Sequence, residues 1–307
     1  MLKSPSKMNQ KIRITLEEFN KLESIEDSTT DIKLISECFA HVIQSIYDGK
    51  PELGEGEVFI ETLSIKILLA TQSILQISNG IYISTINKKA TVEWVDFSSI
   101  NILTRSIIEA FLTLEYLYYN NLQDSERIFR LYIWRISGYK SRQSFFENRQ
   151  NLKNDVKEKL DSEIVEINDL LKKIEASIHY KDLNKQNLWK LDNYGVPRLN
   201  SWSSLLESSV LSSQHFSVPY KLYSNYAHSE FISLIQLNGE TNLCKGSNMN
   251  NISLTNALRV VKMINCVSII LLKSKFECTQ KAYDNINENL KEKIKFWHNI
   301  ALKKHNR

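Results

Sequence analysis

WVDFSSINILTRSIIEAFLTLEYLYY, residues 94–119, decides the fold. Ile100, Ile102, Leu103, Ile107, Ile108, Phe111, Leu112, Leu114 and Leu117 recur at helical spacing and leave the segment apolar on nearly every side. A helix of that kind is normally central in its domain. Before it, the spacing predicts a helix from Val58 to about Ser78, closed by Asn79-Gly80, and a short extended piece over Ile81 to Thr91. After it, Asn120-Asn121 ends the helix and Asp124/Ser125 caps the next, which carries Ile128, Phe129, Tyr132, Ile136 and Tyr139 toward Arg149. A charged helix from about Leu152 to His179 follows.

Farther out, a short helix from Thr15 to Glu26 precedes one running from a Ser28/Thr29/Thr30/Asp31 cap region through Ile46. Residues 180–200 hold Gly195 and Pro197, have no period, and are the longest expected loop. Trp202 to Leu211 reads as a short helix, and Ser217-Val-Pro219 as the start of one reaching Leu237. A polar loop, Gly239 to Asn251, precedes two final helices, Leu254 to Phe276 and Tyr283 to Lys303. The fold class is therefore all-α, a multi-helix bundle with a long central apolar helix. Its expected parts are a lead and short helix over residues 1–30, a main bundle over 31–275 with a sub-boundary at 180–200, and a C-terminal helix over 276–307.

The bulk composition agrees. Sheet folds need turn residues every eight to twelve positions, and 307 residues with 8 Gly and 4 Pro do not supply them. Cys38, Cys244, Cys266 and Cys278 form no CxxC pair and have no His at zinc-finger spacing, which points to reduced cytoplasmic thiols and no metal. No cofactor is expected, since GxGxxG, GxxxxGK[ST] and GxSxG are all missing. The N-terminal stretch MLKSPSKMNQKIRITLEE has basic residues with no apolar run behind them and does not read as a secretory signal. Ile65 to Ile77 and Val267 to Leu272 fall short of the roughly 20 apolar residues a membrane helix needs. A net charge of +4 permits a nucleic-acid partner without demanding one.

Three groups of residues carry candidate chemistry. Arg105 and Glu109, at i,i+4, are the opposite-charge pair of the apolar helix. Taking such a pair out of water costs several kcal/mol, so it serves either to fix packing register or to bind a phosphate or carboxylate with Arg105 while Glu109 orients it. In Tyr223-Ser-Asn-Tyr-Ala-His228, Ser224 and Asn225 stand four and three residues before His228 and can set the imidazole tautomer. The histidine is then a general acid or base, or a satisfied, partly buried residue. Arg135, Arg142 and Arg149, seven apart, share a helix face that either tracks a nucleic-acid backbone or is simply solvated.

The pairing of R-S-I-I-E (residues 105–109) in a central helix with Y-S-N-Y-A-H (residues 223–228) at the start of another resembles the bacterial all-helical DUF5677 proteins, over about residues 55 to 275. Those are similar in turn to the HEPN superfamily, many of whose members are RNA-cleaving toxins or phage-defence effectors. The resemblance implies Arg105, Glu109, Ser224 and His228 as site residues, RNA as a partner, and a homo-oligomer or protein partner. HEPN ribonucleases typically carry Arg and His four to six residues apart on one helix. Here no Arg precedes a His at that spacing, the nearest approximation being Lys221, so the arginine would come from Arg105 on a different helix. Two readings follow: a metal-independent RNA-targeting effector, which requires Arg105 and His228 to converge at a solvent-reachable place, and a non-catalytic adaptor or sensor, which leaves them buried or apart.

Overall fold

The computed structural model describes residues 25–84, 86, 91–119, 122–146, 148–238 and 243–303. The lead and most of the expected Thr15–Glu26 helix lie outside the described residues, as do Asn120-Asn121, Asn87 to Ala90 and the first residues of the Gly239–Asn251 loop. The chain is 76% helical, with twelve helices among the described residues, which bears out the all-α class. One antiparallel hairpin joins β1 (Ile81–Ser84) to β2 (Thr91–Trp94), with Ile81 opposite Trp94 and Ser84 opposite Thr91.

The residues group into two compact units that interleave along the chain: Met1–Pro51, Leu63–Phe111 and Val210–Arg307 form the first, Glu52–Thr62 and Leu112–Ser209 the second. The division differs from the sequence-drawn bounds, and residues 180–200 lie wholly inside the second unit. The physical reason is visible in α3 (Phe97–Tyr118). Ile100, Ile107, Ile108 and Phe111 are buried in its first part and Leu112, Leu114, Tyr116 and Leu117 in its second. It is apolar all round because it serves two cores in succession.

The first unit is built on α10 (Asn248–Lys273), whose residues from Leu254 to Leu272 are almost continuously buried. Ser247 caps it by accepting from the Asn250 amide at 3.2 Å. It packs chiefly on α1 (Ile25–Gly49), which offers Ile32, Ile35, Phe39, Val42 and Ile46 at three- and four-residue spacing, and on α12 (Glu288–Ala301). Burying each such side chain contributes about 1.5–3 kcal/mol. The charged residue among them is Lys262, 0% exposed, whose ammonium lies 3.8 Å from the Asp31 carboxylate and 4.5 Å from the Trp297 ring centre. Lys293 pairs with the same Asp31. Burial pushes the Cys38 thiol up to about 12 and raises Cys266 as well, so neither is a thiolate nucleophile. By length and composition alone, α10 and α2 (Val58–Ser78) are each long and apolar enough to cross a membrane, a test that a core helix also passes. The burial of α10 is that of a core helix.

The second unit pairs α4 (Asp124–Phe145) with α5 (Asn154–Glu175) over a core of Phe129, Ile133, Ile136, Leu170, Ile174, Leu183, Leu191 and Val196. The aperiodic stretch 180–200 is not one loop. It holds a 3-10 turn, Tyr180–Asp182, and α6 (Lys185–Asn193), capped by Asn184 accepting from the Asn187 amide at 2.8 Å. Gly195 ends α6 with φ +80° against Ser137, whose Cα would lie 2.5 Å from an added Cβ. Gly195→Ala is expected to destabilise the chain by about 1–3 kcal/mol through backbone strain and that clash, read as a lower denaturant midpoint with an unchanged slope. A midpoint equal to wild type would show that the turn has room to relax.

Candidate functional site

Arg105 and Glu109 project from the first-unit part of α3, whose N-terminus is fixed by Asp96 accepting from the Ser99 amide at 3.0 Å. Arg105 Nε donates to Glu109 Oε1 at 2.9 Å, with the two side chains 17% and 25% exposed. The pair is thus only partly withdrawn from water. The Tyr220 hydroxyl donates to the same Glu109 oxygen at 2.9 Å, and the Tyr220 ring centre lies 5.7 Å from the Arg105 guanidinium carbon. Burial alone would lower the Arg105 pKa, but Glu109 and then Tyr220 outweigh it and raise it. Burial, followed by Glu109, pushes Tyr220 up to about 12, against the opposing pull of Arg105. The phenol therefore stays protonated and keeps donating.

Tyr220 belongs to α8 (Ser213–Ala227), which begins before Pro219 and encloses it, rather than starting at Ser217. The expected continuation to Leu237 is also broken. His228 is the C-cap, its amide bonded to Ser224 O at 3.3 Å, and Ser229 turns the chain with φ +52°. A non-glycine residue there stores backbone strain. The short α9 (Phe231–Leu237) follows. Y-S-N-Y-A-H thus lies at the end of a helix, not its start, and the turn leaves His228 exposed.

There the two motifs meet, with Arg105 Nη1 3.2 Å from His228 Nε2. Guanidinium has only donors, so a hydrogen bond here requires Nε2 to accept, which is the tautomer with its proton on Nδ1. The expected partners do not perform that role. Ser224 Oγ donates to Tyr220 O at 2.9 Å and Asn225 Nδ2 to Lys221 O at 3.1 Å, both on their own helix. The carbonyl four residues back along the helix satisfies each group more readily than the imidazole at the cap. Tyr220 is the residue sequence reasoning missed, although Tyr220, Ser224 and His228 form a four-residue series.

Arg135, Arg142 and Arg149 belong to the second unit and face carboxylates. Arg135 meets Glu166 at 2.6 Å, Arg142 meets Glu163 at 2.5 Å, and Arg149 meets Asp161 at 2.6 Å. From Arg135 and Arg142 on α4 to Arg149 beyond its end, ascending numbers meet descending numbers on α5, so the series stitches an antiparallel helix pair and the loop that joins it. Its charge is largely compensated before any phosphate arrives. Among the described residues no three His, Cys, Asp or Glu side chains are grouped to hold a metal ion.

The profile of DUF5677, a family of unknown function, matches residues 66–245. The chain belongs to DUF5677. No curated protein and no solved structure matches it. The DUF5677 region contains Arg105, Glu109, Tyr220 and His228, whereas α1, α10 and α12, which build much of the first core, lie outside it.

Proposed function

We propose that this DUF5677 protein is an RNA-targeting effector of a bacterial toxin or phage-defence system, a metal-independent ribonuclease with HEPN-like chemistry centred on Arg105 and His228. The observation that carries it is the 3.2 Å approach of an arginine and a histidine on the surface of one unit, with Glu109 and Tyr220 holding the arginine from behind. The biological setting rests on the resemblance to HEPN proteins. In RNA the nucleophile is already on the substrate. A phosphate entering beside Arg105 takes the Nη1 donors and frees Nε2, which accepts the proton of the 2′-hydroxyl. The 2′-oxygen bonds phosphorus, Arg105 compensates the charge gathering on the phosphate oxygens, and the P–O5′ bond breaks as the leaving oxygen takes a proton from water, the imidazolium then giving the 2′-hydroxyl proton back to the solvent. The products are a 2′,3′-cyclic phosphate and a 5′-hydroxyl.

The test is purified protein with single-stranded RNA in excess chelator, with product ends identified enzymatically. Cyclic phosphate ends formed at undiminished rate are expected; cleavage abolished by chelation, or 3′-hydroxyl ends, would sink the reading. Induction in a bacterial host should slow growth for wild type and not for folded His228→Ala.

A second reading, a non-catalytic adaptor or sensor, is favoured by α9, which follows His228 and exposes Phe231 (77%), Ile232, Leu234 and Ile235. Intact RNA and unaffected growth with wild type would select it.

A further inference from the structure

Among the described residues, Trp189 and Tyr194 are an aromatic pair with both rings largely in water, 56% and 69% exposed. Their centroids are 5.5 Å apart at an interplanar angle of 67°, an edge-to-face arrangement. Such a corner leaves ring face available while fixing one ring by the other. Leaving two large aromatics in water forgoes burial that would be favourable by about 25 cal/mol per Å².

The segment that carries them is anchored at three points inside the second unit. Leu191 and Val196 are buried in its core. Gly195 presses on the Ser137 backbone. Lys140 reaches from α4 to donate to the carbonyls of Leu191 at 2.5 Å and Asp192 at 2.6 Å, closing the C-terminal end of α6. The corner is therefore preformed, and a ligand would not have to order it.

Charge selects the occupant. Lys181 and Lys185 are exposed and Lys190 half-buried. Unlike Arg135, Arg142 and Arg149, these three make no ion pair among the described residues. Aromatic faces beside uncommitted cations are what an unpaired nucleic-acid strand uses, because every base has a π-face and every nucleotide a phosphate. Paired bases in an A-form duplex cannot stack on a protein ring without being opened.

We propose that Trp189 and Tyr194 form a stacking platform for the unpaired bases of single-stranded RNA, with Lys181, Lys185 and Lys190 drawing in the backbone. The choice of RNA rests on the ribonuclease reading above; the stacking does not depend on cleavage.

The experiment uses the full-length His228→Ala chain and a fluorescein-labelled twelve-nucleotide oligouridine, with anisotropy measured for the free strand and for its duplex, and strand integrity checked on a gel. Tighter binding of the single strand is expected. Trp189→Ala or Tyr194→Ala, each with an unchanged unfolding midpoint, should weaken it roughly ten-fold, and Trp189→Phe should keep most of the affinity. Equal binding by Trp189→Ala and its parent, binding of duplex as tight as of single strand, or no binding of either would overturn the proposal. Cleavage by wild type with binding untouched by Trp189→Ala would overturn the platform alone. Platform-dependent binding of a strand that wild type never cuts would support the platform and remove the ribonuclease reading.

Discussion

Under the proposed ribonuclease function, Arg105→Lys keeps a positive charge yet is expected to lose RNA cleavage almost as fully as Arg105→Ala, a fall on the order of 10²–10³ in rate. The guanidinium works through two edges at once, Nε fixed on Glu109 while Nη1 reaches the imidazole. An ammonium is a point charge on a flexible stem and cannot hold both directions. His228→Ala is expected to cost roughly 10²–10⁴, and the double variant little more than the worse single one, because the proposal has the two side chains act on one phosphodiester. Glu109→Gln keeps the hydrogen-bond geometry without the counter-charge and should fall between these variants and wild type. Single-turnover rates on a defined oligonucleotide, with folding checked by circular dichroism, decide the matter. A lysine variant within a few-fold of wild type would mean that a diffuse positive charge suffices, and the two-edged role would have to be given up.

The largest expected effect on stability is remote from that site. Asp31→Ala is expected to destabilise the first unit by about 3–5 kcal/mol, because it removes a carboxylate from an ammonium buried at 0% exposure. Lys262 also lies over Trp297, so the pair ties α1, α10 and α12 together. The informative comparison is Asp31→Ala with Lys262→Met. A buried ion pair owes much of its apparent worth to the penalty for breaking one half, and replacing both halves by apolar groups is often nearly neutral. The double variant should therefore recover most of the loss in denaturant midpoint. If Asp31→Ala alone lies within about 0.5 kcal/mol of wild type, the range of an ordinary surface substitution, then Lys262 draws its compensation from elsewhere.

How much of this was legible depended on whether the deciding partner was near in sequence. The all-α class followed from spacing and scarce turn residues, and the Arg105–Glu109 contact from a separation of four. The meeting with His228, across 123 residues, was reachable through the resemblance of two motifs and not from periodicity. Arg135, Arg142 and Arg149 were ambiguous because Asp161, Glu163 and Glu166 stand on a later helix, and a regular repeat looks the same facing solvent or facing acid. α6 was missed because its apolar residues show little period, though Asn184-Lys-Gln-Asn187 is a capping sequence. The stop at His228 was invisible for a different reason. Left-handed turns usually announce themselves with glycine, and here a serine takes the conformation.

The pairing of α1 with α10 sets the timing of synthesis. About 200 residues separate the two helices, and ribosomes add roughly 5–20 residues each second, so the first helix emerges roughly 10–40 s before the one it packs against. Throughout that interval its Ile32, Ile35, Phe39 and Val42 have no α10 to cover them. Arg105 is translated well before that core can close, and His228 only 20 residues ahead of α10. The nascent chain is thus held short of its native first unit until close to the last helix, and slowing translation downstream of residue 228 should prolong its dependence on chaperones.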